Sequence, residues 1–146
     1  MKRVITGAGP DGRDAILEQS VVHPTAGMAG SKNQTRLCWA TQGLVQLPHE
    51  GGDPVAGAEM TMPAPGDCRF VFVTFQPGSE TPLHATPTVD CVAVVSGEIW
   101  LVMENGEESR LSAGDAVIQN GAKHMWANRS AEPSTIAAVM IGAQRS

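Results

Sequence analysis

Tyrosine is absent from the 146 residues, phenylalanine and tryptophan occur three times each, and no cluster of Lys or Arg interrupts a net charge of −5. Few stacking rings and no basic patch leave little to hold a phosphate backbone, so nucleic acid is not an expected partner. Cysteine is scarce as well. Cys38, Cys68 and Cys91 are odd in number and lack Cys-x-x-Cys spacing, which argues against a disulfide framework or a zinc knuckle and leaves reduced thiols. No apolar run approaches the ~18 residues of a membrane span, so no membrane partner is expected. Nor does any segment sustain a 3.6-residue apolar period, which removes long amphipathic helices from the expected fold. After Met1-Lys2-Arg3 the chain turns into Gly7-Ala8-Gly9-Pro10-Asp11-Gly12 without the apolar stretch of a signal peptide, and cytoplasmic residence is the expectation.

What remains is a turn-rich chain, with 16 Gly, 10 Pro and 42% hydrophobic residues, sized for one domain. Short alternating runs separated by turn signals fill its second half: Arg69 to Gln76, Val89 to Val95, Ile99 to Met103, Glu108 to Leu111, Ala116 to Gln119, Lys123 to Asn128 and Thr135 to Ile141. Ser96-Gly97, Asn105-Gly106 and Ala113-Gly114 punctuate them, and Asn-Gly between alternating strands is the strongest short hairpin signal. Strands at this spacing predict an all-β antiparallel barrel or sandwich. Both faces of Arg69 to Gln76 are mostly apolar, which predicts burial on both sides. Upstream, strands are expected near Val4-Ile5, Ala15 to Val22 and Arg36 to Thr41, and Leu47 to Asp67 is rich enough in Pro and Gly to be a long connection or flap.

Gly7-x-Gly9-x-x-Gly12 matches a dinucleotide fingerprint letter by letter. The fingerprint needs a helix N-terminus after the glycines and an acidic residue ~20 positions on; Pro10 and the region around Lys32 and Asn33 supply neither. Asp11-Gly12 is read as a turn instead.

Two Gly-bounded blocks carry the candidate chemistry. The first reads Gly78-x5-His84-x-Thr86-x3-Asp90-x6-Gly97 and the second Gly114-x4-Gln119-x-Gly121-x2-His124-x3-Asn128. Side chains alternate with period two along a strand, so His84, Thr86, Thr88 and Asp90 share one face and His124, Trp126 and Asn128 share another. A sheet curled into a barrel would bring the two rows together, with two imidazoles and a carboxylate at one interior spot.

These blocks resemble the two signature motifs of the cupin superfamily, in which the first usually carries His-x-His and a Glu and the second a third His and an Asn. The resemblance implies a double-stranded β-helix of the cupin jelly-roll type with additional N-terminal strands. Residues 68–146 form its barrel core, and residues 1–67 supply the N-terminal strands and a long loop packed on the barrel, a single domain overall. This chain departs from the pattern in four places, one of them a second block that is one residue shorter than usual before its turn. Thr86 replaces the second His, Asp90 replaces the Glu, and Gln119 stands where a Pro is usual. A ligand must come within ~2.0–2.2 Å of a metal, so a carboxylate set back by one methylene reaches only if the strand or the ion shifts. His84, Asp90 and His124 keep the content of a two-His-one-carboxylate triad for a divalent Fe, Mn, Ni or Zn. A metal-free site is the alternative, with Asp90 and His124 as a catalytic acid/base pair.

Thr86 and Trp126 are the expected substrate-binding residues, one as a hydrogen-bonding group and the other as a flat apolar wall. Trp126 satisfies plain core packing equally well. Cys91 has the opposite parity to Asp90 and should face away; His49, in the long loop, is most simply exposed. The expected function is a small-molecule lyase or isomerase acting on an oxygenated or aromatic carbon skeleton. A metal-dependent dioxygenase and a non-catalytic binding barrel are the alternatives. Sheet edges that need covering make a homodimer the expected assembly.

Overall fold

The computed structural model describes residues 1–26, 32–57 and 60–144, and among them all regular structure is β. The chain begins with a hairpin of β1 (Lys2–Ala8) and β2 (Asp14–Val21), which pair only with each other. Its turn is the Asp11-Gly12 segment, closed by Gly12 N donating to Gly9 O at 2.9 Å and Arg13 N donating to Asp11 Oδ1 at 3.1 Å. The glycine triplet is therefore a hairpin connection, with no helix behind it to receive a pyrophosphate.

Next come β3 (Thr25–Ala26), β4 (Gln34–Thr41) and β5 (Cys68–Phe75). They are followed by β6 (Thr88–Ser96), β7 (Glu98–Met103), β8 (Glu108–Ser112), β9 (Ala116–Asn120), β10 (His124–Ala127) and β11 (Ser134–Gly142). Six of these form one sheet in the order β3-β4-β5-β11-β6-β9, and three form a second in the order β10-β7-β8. The last strand lies between β5 and β6, so the first and last strands of the barrel region are neighbours and the chain winds as a jelly roll. This is the all-β cupin-type architecture expected from the strand and turn rhythm.

The two sheets close over an apolar core built from alternate residues. Val71 and Phe75 of β5, Val92 and Val94 of β6, and Ile136, Ala138 and Met140 of β11 face Ile99 of β7, Leu111 of β8 and Trp126 of β10. Burying one such large side chain contributes about 1.5–3 kcal/mol, so this cluster dominates the driving force for closure. Gly97 fits a tight corner between β6 and β7. Its φ is +73°, and a Cβ there would lie 2.7 Å from Pro133 O, so both backbone and space require glycine.

The outer face of β5 departs from its apolar pattern. Phe70 and Phe72 are only half-buried, because that face meets the N-terminal hairpin and long loop across a cavity of about 530 Å³ instead of a second packed sheet. One cation pins the hairpin there. Arg3 Nη1 donates to Asp53 Oδ1 at 2.9 Å and to Cys38 O at 3.1 Å, while its Nη2 reaches Glu18 at 2.9 Å, which joins β1, β2, β4 and the long loop at one guanidinium.

Candidate functional site

Pro82 and Pro87 decide the local path of the first block. Neither can donate to a strand ladder, so the chain from 82 to 87 runs outside the named strands, and β6 begins only at Thr88. His84 and Thr86 therefore lie on the approach to β6 and not within a continuous strand, which corrects the sequence expectation. An isolated antiparallel bridge still fixes His84. Its N donates to His124 O at 2.9 Å, and its O accepts the reciprocal bond from His124 N at 2.8 Å. Two residues that exchange both backbone bonds lie directly opposite each other. The imidazole centroids are accordingly 4.5 Å apart, with planes inclined by 50°.

Each ring is also held in one tautomer. His84 Nδ1 lies 2.8 Å from Pro82 O and His124 Nδ1 lies 2.9 Å from Ala122 O. A carbonyl oxygen only accepts, so both Nδ1 atoms carry a proton, and the neutral form of either ring keeps its lone pair on Nε2. Burial is the main cause that pulls the His124 pKa below its ordinary value of 6.5, and the neighbouring His84 adds to it. The Ala122 carbonyl and the Asp90 charge oppose that shift. Net, His124 favours its neutral, basic form.

Asp90 is buried on β6, and one of its oxygens, Oδ2, accepts from Thr86 Oγ1 at 3.3 Å. The parity rule holds along this row: Thr86, Thr88 and Asp90 are buried while Cys91 is exposed. The three expected metal ligands do not close into one set. Among the described residues no three His, Cys, Asp or Glu side chains are grouped so as to hold a metal ion. His84 and His124 stand as a ring pair, and Asp90, whose charge acts on His124, does not close with them into a metal-holding group, so the arrangement does not fit a three-ligand centre. The physical reason lies in the first block, where a hydroxyl replaces one imidazole and the carboxylate is short.

Trp126 is 5% exposed and belongs to the core cluster, with its ring edge-on to His124 at 6.0 Å between centroids. It supports the imidazole from behind. Asn128 completes the row as a structural anchor: its Nδ2 donates to Phe75 O and Glu132 O, and its Oδ1 accepts from Ser130. His49 lies elsewhere, edge-on to Trp39 at 5.3 Å on the rim of the outer cavity. A smaller pocket of about 280 Å³ opens beside the candidate site, lined by Thr86, Thr88, Asn120, Gly121 and Gln144 among others. The larger outer cavity shares no residue with the two signature blocks, whereas the smaller one takes Thr86, Thr88 and Gly121 from them; His84, Asp90 and His124 line neither.

Sequence reasoning did not count Gln119 as a site residue. It lies on β9 directly opposite Asp90 and is 4% exposed. Its parity on β9 with Val117, which packs on the core, was the available signal.

A two-sheet barrel with an imidazole pair and a buried carboxylate at one end defines the class: the chain belongs to the cupin superfamily, and the family profile described as Cupin domain matches residues 71–141. Particular relatives share that region and more. Phomopsin biosynthesis cluster protein C' of Diaporthe leptostromiformis is 32% identical over 110 residues, which covers 72% of this chain and 58% of that protein. A cupin-domain-containing oxidoreductase, fogC, of Aspergillus ruber is 27% identical over 132 residues, 86% of this chain and 63% of its own length. The chain thus spans less than two thirds of either relative. Among solved structures, the polyketide cyclase RemF from Streptomyces resistomycificus superposes with a TM-score of 0.58 at 15% identity, over 82% of this chain and 72% of that one, a likeness of fold.

Proposed function

We propose that this chain is a small-molecule enzyme of the lyase or isomerase type, in which His124 and Asp90 move protons on an oxygenated or aromatic carbon skeleton. The observation that carries this reading is the imidazole pair, each ring held by its Nδ1 hydrogen bond so that Nε2 is bare, beside a buried carboxylate. A positioned neutral imidazole is the commonest general base, and burial keeps His124 in that form. Its Nε2 takes a proton from the ligand and returns it, either to a second carbon, which isomerises the skeleton, or to a departing hydroxyl, which leaves as water. Asp90 accepts a ligand hydrogen bond and stabilises the imidazolium formed in between. Thr86 binds the ligand at the pocket mouth, and Trp126 holds His124 in place.

The second reading is metal-dependent oxygenation, one form of oxidoreductase chemistry, and the Aspergillus ruber relative is a cupin-domain-containing oxidoreductase. A divalent Fe, Mn, Ni or Zn would need His84, Asp90 and His124 to converge further than they do, so no step is routed through a metal here. One experiment separates the readings. Purified protein, its His124→Ala variant and a His84→Ala/His124→Ala variant are assayed for metal content and incubated in D2O with hydroxy acids, hydroxyketones and aromatic carboxylates. Product masses are then read. The acid/base reading expects solvent deuterium in product without added metal, lost on removing His124. Turnover that appears only with a stoichiometric metal, itself lost in the double variant, supports oxygenation. No mass change with any candidate leaves a binding barrel and ends the proposal.

A further inference from the structure

Three polar atoms in one row of the barrel interior lack a hydrogen-bond partner among the described residues: Thr88 Oγ1, Asp90 Oδ1 and Gln119 Nε2. The side chains that carry them are 2%, 7% and 4% exposed. The three atoms are closed off from bulk solvent, and a native barrel leaves few such groups unpaired, so three together ask for a partner inside the barrel. They share a face by construction. Thr88 and Asp90 are two apart on β6, and Gln119 is the direct antiparallel partner of Asp90 on β9, with Cβ atoms ~4.5–5.5 Å apart in such pairs. Met140 of β11 is the register partner of Asp90 on the side away from Gln119, and two residues along β6 the same face becomes apolar at Val92; toward the other end, Thr88 and Thr86 line the pocket of about 280 Å³.

The three atoms differ in what they want. A carboxylate oxygen only accepts, an amide nitrogen only donates, and a hydroxyl does either. A ligand carboxylate or phosphate has no hydrogen to offer Asp90 and brings a like charge toward it. An ether or ketone oxygen satisfies Gln119 and leaves Asp90 bare. A hydroxyl satisfies both at once.

Resting on the reading of the barrel interior as the ligand site, we propose that Thr88, Asp90 and Gln119 form a subsite for a neutral alcohol, phenol or enol hydroxyl. In it Gln119 Nε2 donates to the ligand oxygen and Asp90 Oδ1 accepts its hydrogen. Gln119 is then the specificity-determining residue for hydroxylated skeletons. Any ligand carboxylate lies away from this row. The subsite also accounts for a polar glutamine at a core-facing position of β9, where an apolar residue would have been the cheaper choice for folding.

The test uses phenol, anisole and benzoate as probes, which share a ring and differ in the polar group. Binding to the wild type, Gln119→Leu and Thr88→Val is measured by ligand-observed NMR titration, with folding of each variant checked by its amide spectrum. The wild type is expected to bind phenol about tenfold more tightly than anisole or benzoate, and Gln119→Leu to erase the phenol preference while leaving anisole affinity unchanged. Equal binding of the three probes, or no phenol binding at millimolar concentration, overturns the subsite and assigns the row to internal water. Phenol affinity unchanged in a folded Gln119→Leu overturns it too. Should that variant not fold, the wild-type ranking and Thr88→Val, expected to weaken phenol alone, still decide. Because binding is read without turnover, a failed probe ranking with intact catalysis sinks only this inference, whereas lost catalysis with the ranking intact sinks only the proton-transfer reading.

Discussion

Asn128 directly follows β10, the strand that carries His124 and Trp126, and replacing it by alanine removes a node of four hydrogen bonds. Its Nδ2 donates to Phe75 O at 3.0 Å and to Glu132 O at 2.9 Å; its Oδ1 accepts from Ser130 N at 3.0 Å and from Ser130 Oγ at 2.7 Å. These bonds are not equal in worth. Glu132 O lies 2.9 Å from Ser130 Oγ, whose single hydrogen can turn to it once Asn128 Oδ1 is gone, and half-exposed Ser130 can also reach water. Phe75 O is different: it belongs to a residue 2% exposed and loses the Asn128 donor where water does not enter. A stranded buried group costs about 1–3 kcal/mol and each ordinary bond about 1 kcal/mol or less, so Asn128→Ala should destabilise by about 2–4 kcal/mol. At roughly 2–4 °C per kcal/mol for a chain of this size, that corresponds to a Tm lower by about 5–15 °C.

Urea unfolding followed by tryptophan fluorescence reads the change, with the slope expected to stay constant because the surface exposed on unfolding is the same. The companion variant, Asn128→Asp, keeps the shape and the Oδ1 acceptor but points an oxygen at two carbonyls. It should therefore be at least as unstable as alanine. A loss below about 1 kcal/mol for alanine, or an aspartate variant more stable than the alanine one, would refute this account of the loop.

Two further expectations follow from charges on the structure. The His124 pKa lies below 6.5, so the acid limb of kcat/KM should fall below that pH, and Asp90→Asn, by removing the charge that opposes the shift, should move it lower still. The unfolded chain binds a proton at His124 more readily than the folded one, so stability should decline as pH drops below 6.5; a His124→Gln variant that keeps the full slope would contradict this. Arg3→Ala should cost about 1–3 kcal/mol through its charged hydrogen bonds and free the N-terminal hairpin for proteolysis while the barrel persists. The Arg3 hydrogen bond also holds the Asp53 carboxyl below its ordinary 3.8, so the Asp53 share of this stability is present above that pH and disappears as pH falls through the lowered value. Equal proteolytic resistance in wild type and variant would show that the hairpin is held by other contacts.

The local rules of strands and turns were legible in the residue order. Alternation marks β6 and β11, Asn105-Gly106 closes β7 onto β8, and His84 and His124 were recognisable as partners because their blocks matched a known pattern. Each of these depends on neighbours within a few positions, where backbone sterics and side-chain parity act directly. The tertiary structure decided what depends on approach between distant segments. It set His84 off the strand because Pro82 and Pro87 cannot join a ladder, kept Asp90 from closing with the imidazole pair into a metal-holding group, and turned Trp126 into core. It also laid Gln119 opposite Asp90 and gathered Glu18, Cys38 and Asp53 around Arg3. Register between strands and the path of a long loop are settled by packing over the whole barrel, and a linear pattern carries no term for either.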